Sequence, residues 1–129
     1  ILSDQGESLL SWRVALLPHL GYESLYKKFH LNEPWDSPHN IKLLEEMPSI
    51  YRSARQNIPP GYTTFVAPYG VIDQKRKTVW DVVPTNVFAD DSKNLDCLLL
   101  VEVEPQGAVP WSSPEDVNVM QTDLRTLLQ

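Results

Sequence analysis

Asn57-Ile58-Pro59-Pro60-Gly61-Tyr62-Thr63-Thr64-Phe65-Val66-Ala67 is where one kind of pattern ends and another begins. The Asn-Ile-Pro-Pro-Gly run is a turn cluster, because two prolines remove backbone donors and the glycine admits conformations closed to other residues. The aromatic and β-branched residues from Tyr62 to Ala67 then read as a strand. Before this stretch the spacing is helical. Leu9, Leu10, Trp12, Leu16, Leu17 and Leu20, then Leu25, Tyr26 and Phe29, recur every three or four residues. Pro18 and Gly21 interrupt that run, which predicts two short helices over 8–17 and 22–29. Ser37 as a cap and Pro38 at the first helical position predict a third helix over 38–47, closed by Pro48. After the turn cluster the signals are strands: 62–67, 78–83 and 97–103, the last an apolar run ending at Glu102. Asp73 to Lys77 is the expected hairpin between the first two. Helices first and strands later give an α+β fold, with short N-terminal helices on one face of an antiparallel sheet.

The chain has 129 residues, the size of one domain, and no internal repeat or linker divides it. Its hydrophobic content of 42% is that of a globular core rather than a disordered segment. The formal charge is −6. Nucleic-acid binders present a basic face to phosphate, so nucleic acid is not an expected partner. The basic run Lys75-Arg76-Lys77 reads as a solvated hairpin tip. The single cysteine, Cys97, excludes an internal disulfide and lies in an apolar run as a small buried hydrophobe. No apolar run reaches the roughly 18 residues that span a bilayer. The chain starts at Ile1 and not at Met, and the expectation is a fragment of a longer protein.

The chemistry-bearing residues are scattered. His19, His30 and His39 form no HExxH or HxH pair, and His39 is the best placed of them, three residues after Asp36. Asp90, Asp91, Ser92, Asn94 and Asp96 imitate a calcium loop, but its glycine position holds Leu95 and its bidentate glutamate position holds Val101. Glu102 and Glu104 alternate along a strand and share a face. Two carboxylates can run glycoside hydrolysis when their environments differ, but like charges at a strand end more commonly guard an edge. No GxSxG, P-loop or Cys/His pair is present, and neither metal nor cofactor is expected. Trp35 and Trp111 sit in matching settings, Pro34-Trp35-Asp36-Ser37-Pro38 and Pro110-Trp111-Ser112-Ser113-Pro114. Such a tryptophan plugs a loop onto the core or offers a stacking platform to a sugar or peptide. The candidate binding residues are therefore Trp35, Asp36, His39 and Trp111. Asp36 or Ser37 is expected to cap the 38–47 helix, with Trp35 mostly buried behind it.

Several strings together carry a resemblance. They are Ser11-Trp12-Arg13-Val14-Ala15-Leu16-Leu17-Pro18-His19-Leu20, Leu25-Tyr26-Lys27-Lys28-Phe29, Asn32-Glu33-Pro34-Trp35-Asp36-Ser37-Pro38-His39-Asn40, Met47-Pro48-Ser49-Ile50-Tyr51-Arg52 and Ala108-Val109-Pro110-Trp111-Ser112-Ser113-Pro114-Glu115-Asp116. Over about 9–117 the chain resembles a large bacterial pseudopilin-like family of unassigned function. Asp91-Ser92-Lys93-Asn94 leading into Leu98-Leu99-Leu100-Val101-Glu102 follows the family's Asp-x-x-Ser-Asn-Thr turn and strand imperfectly. The resemblance implies a pilin-headgroup-like fold in an exported protein, tethered by an upstream prepilin-type helix, with protein partners in the cell envelope or self-assembly. It implies no catalytic residue. The family's prepilin helix and its glycine-rich closing segment are absent from these residues, and 118–129 match no part of it. The expected function is a non-enzymatic structural or assembly protein. A carbohydrate- or envelope-binding module is the alternative, and a hydrolase the third reading.

Overall fold

The computed structural model describes residues 1–69 and 100–118. The expected strand 78–83, the Lys75-Arg76-Lys77 tip, Cys97 and the acidic loop 90–96 lie outside the described residues.

The stretch from Gly61 to Tyr69 is the spine of what is described. β1 (Tyr62–Thr63) pairs antiparallel with β5 (Val109–Pro110), and β2 (Phe65–Val66) pairs antiparallel with β4 (Val101–Glu102). β3 (Pro68–Tyr69) lies parallel to β6 (Val117–Asn118). The segment that carries β4 and β5 detours between them through a 3-10 turn over Pro105–Gly107. Thr64 still bridges the gap, since its carbonyl accepts the Val103 N–H at 2.9 Å.

The sequence predicts one strand over 62–67, and the structure breaks it at Thr64. The cause is local. Thr63 Oγ1 accepts the Phe65 N–H at 3.1 Å, a side chain competing with the ladder for a backbone donor. The Phe65 carbonyl is taken in turn by the Arg13 guanidinium, at 2.7 Å from Nη2.

The N-terminal helices are shorter than their apolar pattern. α1 (Trp12–Ala15) is capped by Ser11, whose side chain accepts the Arg13 N–H. A 3-10 turn over Leu17–Leu20 follows, with Pro18 in its first positions, and Gly21 ends it at φ 84°. α2 (Glu23–Tyr26) completes the pair. The expected helix over 38–47 is instead a 3-10 helix over Asn40–Glu46. Pro48 holds Met47 in an extended conformation at ψ 124°, which denies the turn an α-helical exit.

One core cluster joins Leu10, Val14, Leu17, Leu25, Phe29 and Tyr51 to Trp111. The Trp111 ring is fully buried, edge-on to Phe29 at 5.6 Å and stacked on Tyr51 at 6.0 Å. A second cluster gathers Val66, Val101 and Val103 beneath the ladders. The architecture is thus α+β, short helices with small antiparallel ladders, and Trp111 carries the late segment into the helical core.

Candidate functional site

The string from Glu33 to Asn40 folds into a knot around one side chain. Asn40 is fully buried. Its Oδ1 accepts the His30 N–H at 2.9 Å, while its Nδ2 is shared among the carbonyls of His30, Glu33 and Pro34 at 3.0–3.2 Å. An asparagine supplies both donors and an acceptor, which is what a turn with unpaired backbone groups of both kinds requires. Ser37 performs the expected capping, since its Oγ accepts the Asn40 N–H at 3.1 Å. Hydrogen bonds from Ser37 and His30 hold the Glu33 carboxyl below its usual range.

The candidate binding residues divide around this knot. Asp36 and His39 are exposed. Trp35 is half-buried rather than mostly buried, with its backbone N–H on the Leu9 carbonyl at 2.9 Å and its ring against the helical core. Trp111 is fully enclosed, so the stacking role weighed for it has no exposed ring face to use. The loop that bears it closes onto Gly61, whose carbonyl accepts the Trp111 N–H, and this seats the indole inside. His39 meets His30 and not Asp36. The two imidazoles stack at 3.5 Å with their planes 2° apart. His39 Nε2 lies 2.7 Å from the Lys28 carbonyl and must be the donor there, and His30 Nδ1 lies 2.8 Å from Glu33 Oε1. Among the described residues no three His, Cys, Asp or Glu side chains converge as metal ligands.

Glu102 and Glu104 do share a face, and one guanidinium spans them. Arg55 Nε is 3.4 Å from Glu102 and its Nη1 is 2.8 Å from Glu104. The Ser53 hydroxyl also donates to Glu102, and this bond, with those from Thr64 and Arg55, holds the Glu102 carboxyl below its usual range. A glycosidase acid needs the opposite shift.

The feature that sequence reasoning missed is the seam between Arg13 and Asp116. Arg13 is fully buried, and its Nη2 lies 3.1 Å from Asp116 Oδ1. The same carboxylate oxygen accepts the Ala67 N–H at 2.7 Å and the Trp12 indole N–H at 3.3 Å. Burial pushes the Asp116 carboxyl up and the Arg13 guanidinium down. Both residues stand inside the strings that carry the resemblance, but nothing in their spacing announces that they meet.

A family model described as a protein of unknown function, DUF1559, matches residues 2–93. That span includes the Asn40 knot and the first strand residues, and stops short of Trp111 and Asp116. No curated protein and no solved structure matches the chain. With well over half of its length matched, the chain belongs to this DUF1559 family of proteins of unknown function.

Proposed function

We propose that this domain is a non-enzymatic headgroup of a pseudopilin-like protein of the cell envelope, acting by packing and assembly outside the cytoplasm. One observation supports the reading above the others: the residues that carry the resemblance serve the chain's own backbone. Asn40 ties four backbone groups together, Arg13 and Asp116 tie three more, and Trp111 fills the core. Residues so engaged hold the shape of the domain, which is what a headgroup that acts by packing requires. The partners that fit are envelope proteins or further copies of the same protein, with membrane attachment through an upstream helix.

Trp35, half-exposed beside exposed Asp36 and His39, supports the second reading, a carbohydrate- or envelope-binding module.

The test is to express the full-length gene product in its native host and follow it by fractionation and by protease added to intact and outer-membrane-permeabilised cells. Recovery with membranes, digestion from outside the cytoplasm and processing by a prepilin peptidase are the expected results. A soluble pool that resists protease until the inner membrane is broken would overturn the proposal.

A further inference from the structure

A pocket of about 270 Å³ lies between the 3-10 helix over Asn40–Glu46 and the turn that enters β1. Its apolar wall is Met47, Ile58, Pro59 and Pro60. The proline side of the wall is rigid for two reasons. The two prolines fix their own backbone angles. Gly61 then passes so close to the helix, at φ 78°, that a β-carbon there would stand 2.8 Å from the Leu44 carbonyl oxygen. Two charged side chains, Glu45 and Arg52, line the same pocket and are exposed. Neither has an ion-pair partner among the described residues, and they do not pair with each other. Arg55, which also reaches the pocket, is occupied by Glu102 and Glu104.

We propose that this pocket binds a small zwitterion with an apolar side group: an apolar amino acid or a dipeptide. The volume falls just under the usual range for ligand pockets, roughly 300–1,000 Å³, which suits a ligand of this size. The Arg52 guanidinium offers two parallel donors to a carboxylate. Glu45 accepts from an ammonium group. Met47, Ile58 and the prolines cover the apolar side group, and the fixed backbone of Pro59, Pro60 and Gly61 lowers the ordering cost of binding. A phosphate dianion fits less well, because only one guanidinium is open and Glu45 repels the added charge. This inference adds a ligand to the domain and stands apart from the envelope-assembly reading, which survives or fails on its own test.

Isothermal titration calorimetry on the folded domain checks it, with leucine, phenylalanine and leucyl-leucine as probes. N-acetyl-leucine lacks the ammonium group and leucinamide lacks the carboxylate. Saturable binding of at least one zwitterion is expected, with leucine against leucyl-leucine deciding between free amino acid and peptide. Arg52→Gln should weaken it by roughly tenfold or more, the scale of one lost charge-assisted contact. Glu45→Gln should weaken leucine binding by a similar factor and leave N-acetyl-leucine unaffected. Amide shifts on the unsubstituted protein give a check that needs no variant, and they should centre on residues 45–62. No binding of any probe up to about 10 mM, affinity unchanged from the parent in either variant, or shifts centred elsewhere would each overturn the proposal.

Discussion

Replacing Asn40 by alanine strands backbone groups on three neighbouring residues and removes no exposed surface. Each neutral hydrogen bond contributes about 0.5–1.5 kcal/mol net, and each buried group left unpaired costs about 1–3 kcal/mol. Asn40→Ala should therefore lower unfolding free energy by about 2–4 kcal/mol in urea titrations, more than any single exposed substitution in the knot. Trp35→Ala removes a ring that is only half-buried, so its cost falls below the roughly 3–5 kcal/mol of a fully buried tryptophan, at about 1–3 kcal/mol. A clear drop in melting temperature is expected. Unchanged stability together with lost glycan binding would instead favour the binding module. Glu102 supplies a pH signature. Its folded carboxyl lies below its ordinary value of 4.5, so its contribution is present above that value and is lost as pH falls through the folded one. Asp116, raised by burial, has the opposite sign and erodes stability as pH rises through its own folded value. The parent profile therefore mixes the two, and the difference between parent and Glu102→Gln isolates Glu102. Measured between about pH 6 and pH 3, that difference should be largest at the upper end and should shrink toward the lower.

Among the elements, the turn into β1 is tightly constrained. Gly61 combines a positive φ with a β-carbon position that meets backbone, which cannot swing aside as a side chain could. A left-handed residue with a β-carbon costs roughly 1–2 kcal/mol before any clash. Gly61→Ala should cost about 2–4 kcal/mol in total by chemical denaturation, and should loosen the Trp111 loop that hangs from the Gly61 carbonyl. This turn was legible in the sequence, because two prolines and a glycine before a β-branched run admit few alternatives. The helix pair around Pro18 and Gly21 was legible for the same reason. The strand break at Thr64 was not, since it depends on which acceptor captures the Phe65 N–H, and a threonine two residues back is as ordinary in strands as in turns. The 38–47 segment carried correct start and stop signals but the wrong winding, because periodicity does not separate a short α-helix from a 3-10 helix. At the candidate site, the cap at Ser37 could be read from its neighbours. The burial of Trp111 follows the loop-plug reading of its Pro-flanked setting, whereas the stacking of His30 on His39 is set by loop-mediated contacts that local pattern does not contain.

Taken whole, the molecule is held shut at the Arg13–Asp116 seam. Removing one partner of a buried pair leaves an uncompensated charge and costs roughly 3–5 kcal/mol. Arg13→Met should approach that figure, and Asp116→Asn should cost less, since burial already disfavours the ionised carboxylate. The double variant should cost less than the two singles added, since no charge is then left behind. Thermal or urea unfolding of the four proteins measures the coupling. The seam also sets an order of events in time. Arg13 reaches Phe65 across 52 residues, Ser113 across 100 and Asp116 across 103. Contacts so remote in sequence form late, because closing a long loop precedes any gain from the contact. A chain that emerges N-terminus first, from a ribosome or through a secretion pore, brings out α1 long before the carboxylate that neutralises its arginine. Until residue 116 arrives, burying Arg13 gains the Phe65 carbonyl and the Ser11 hydroxyl but no counter-charge, so the first half of the domain lacks its ionic partner while the second is still to come. A late segment thus supplies the charge that completes the burial of an early one.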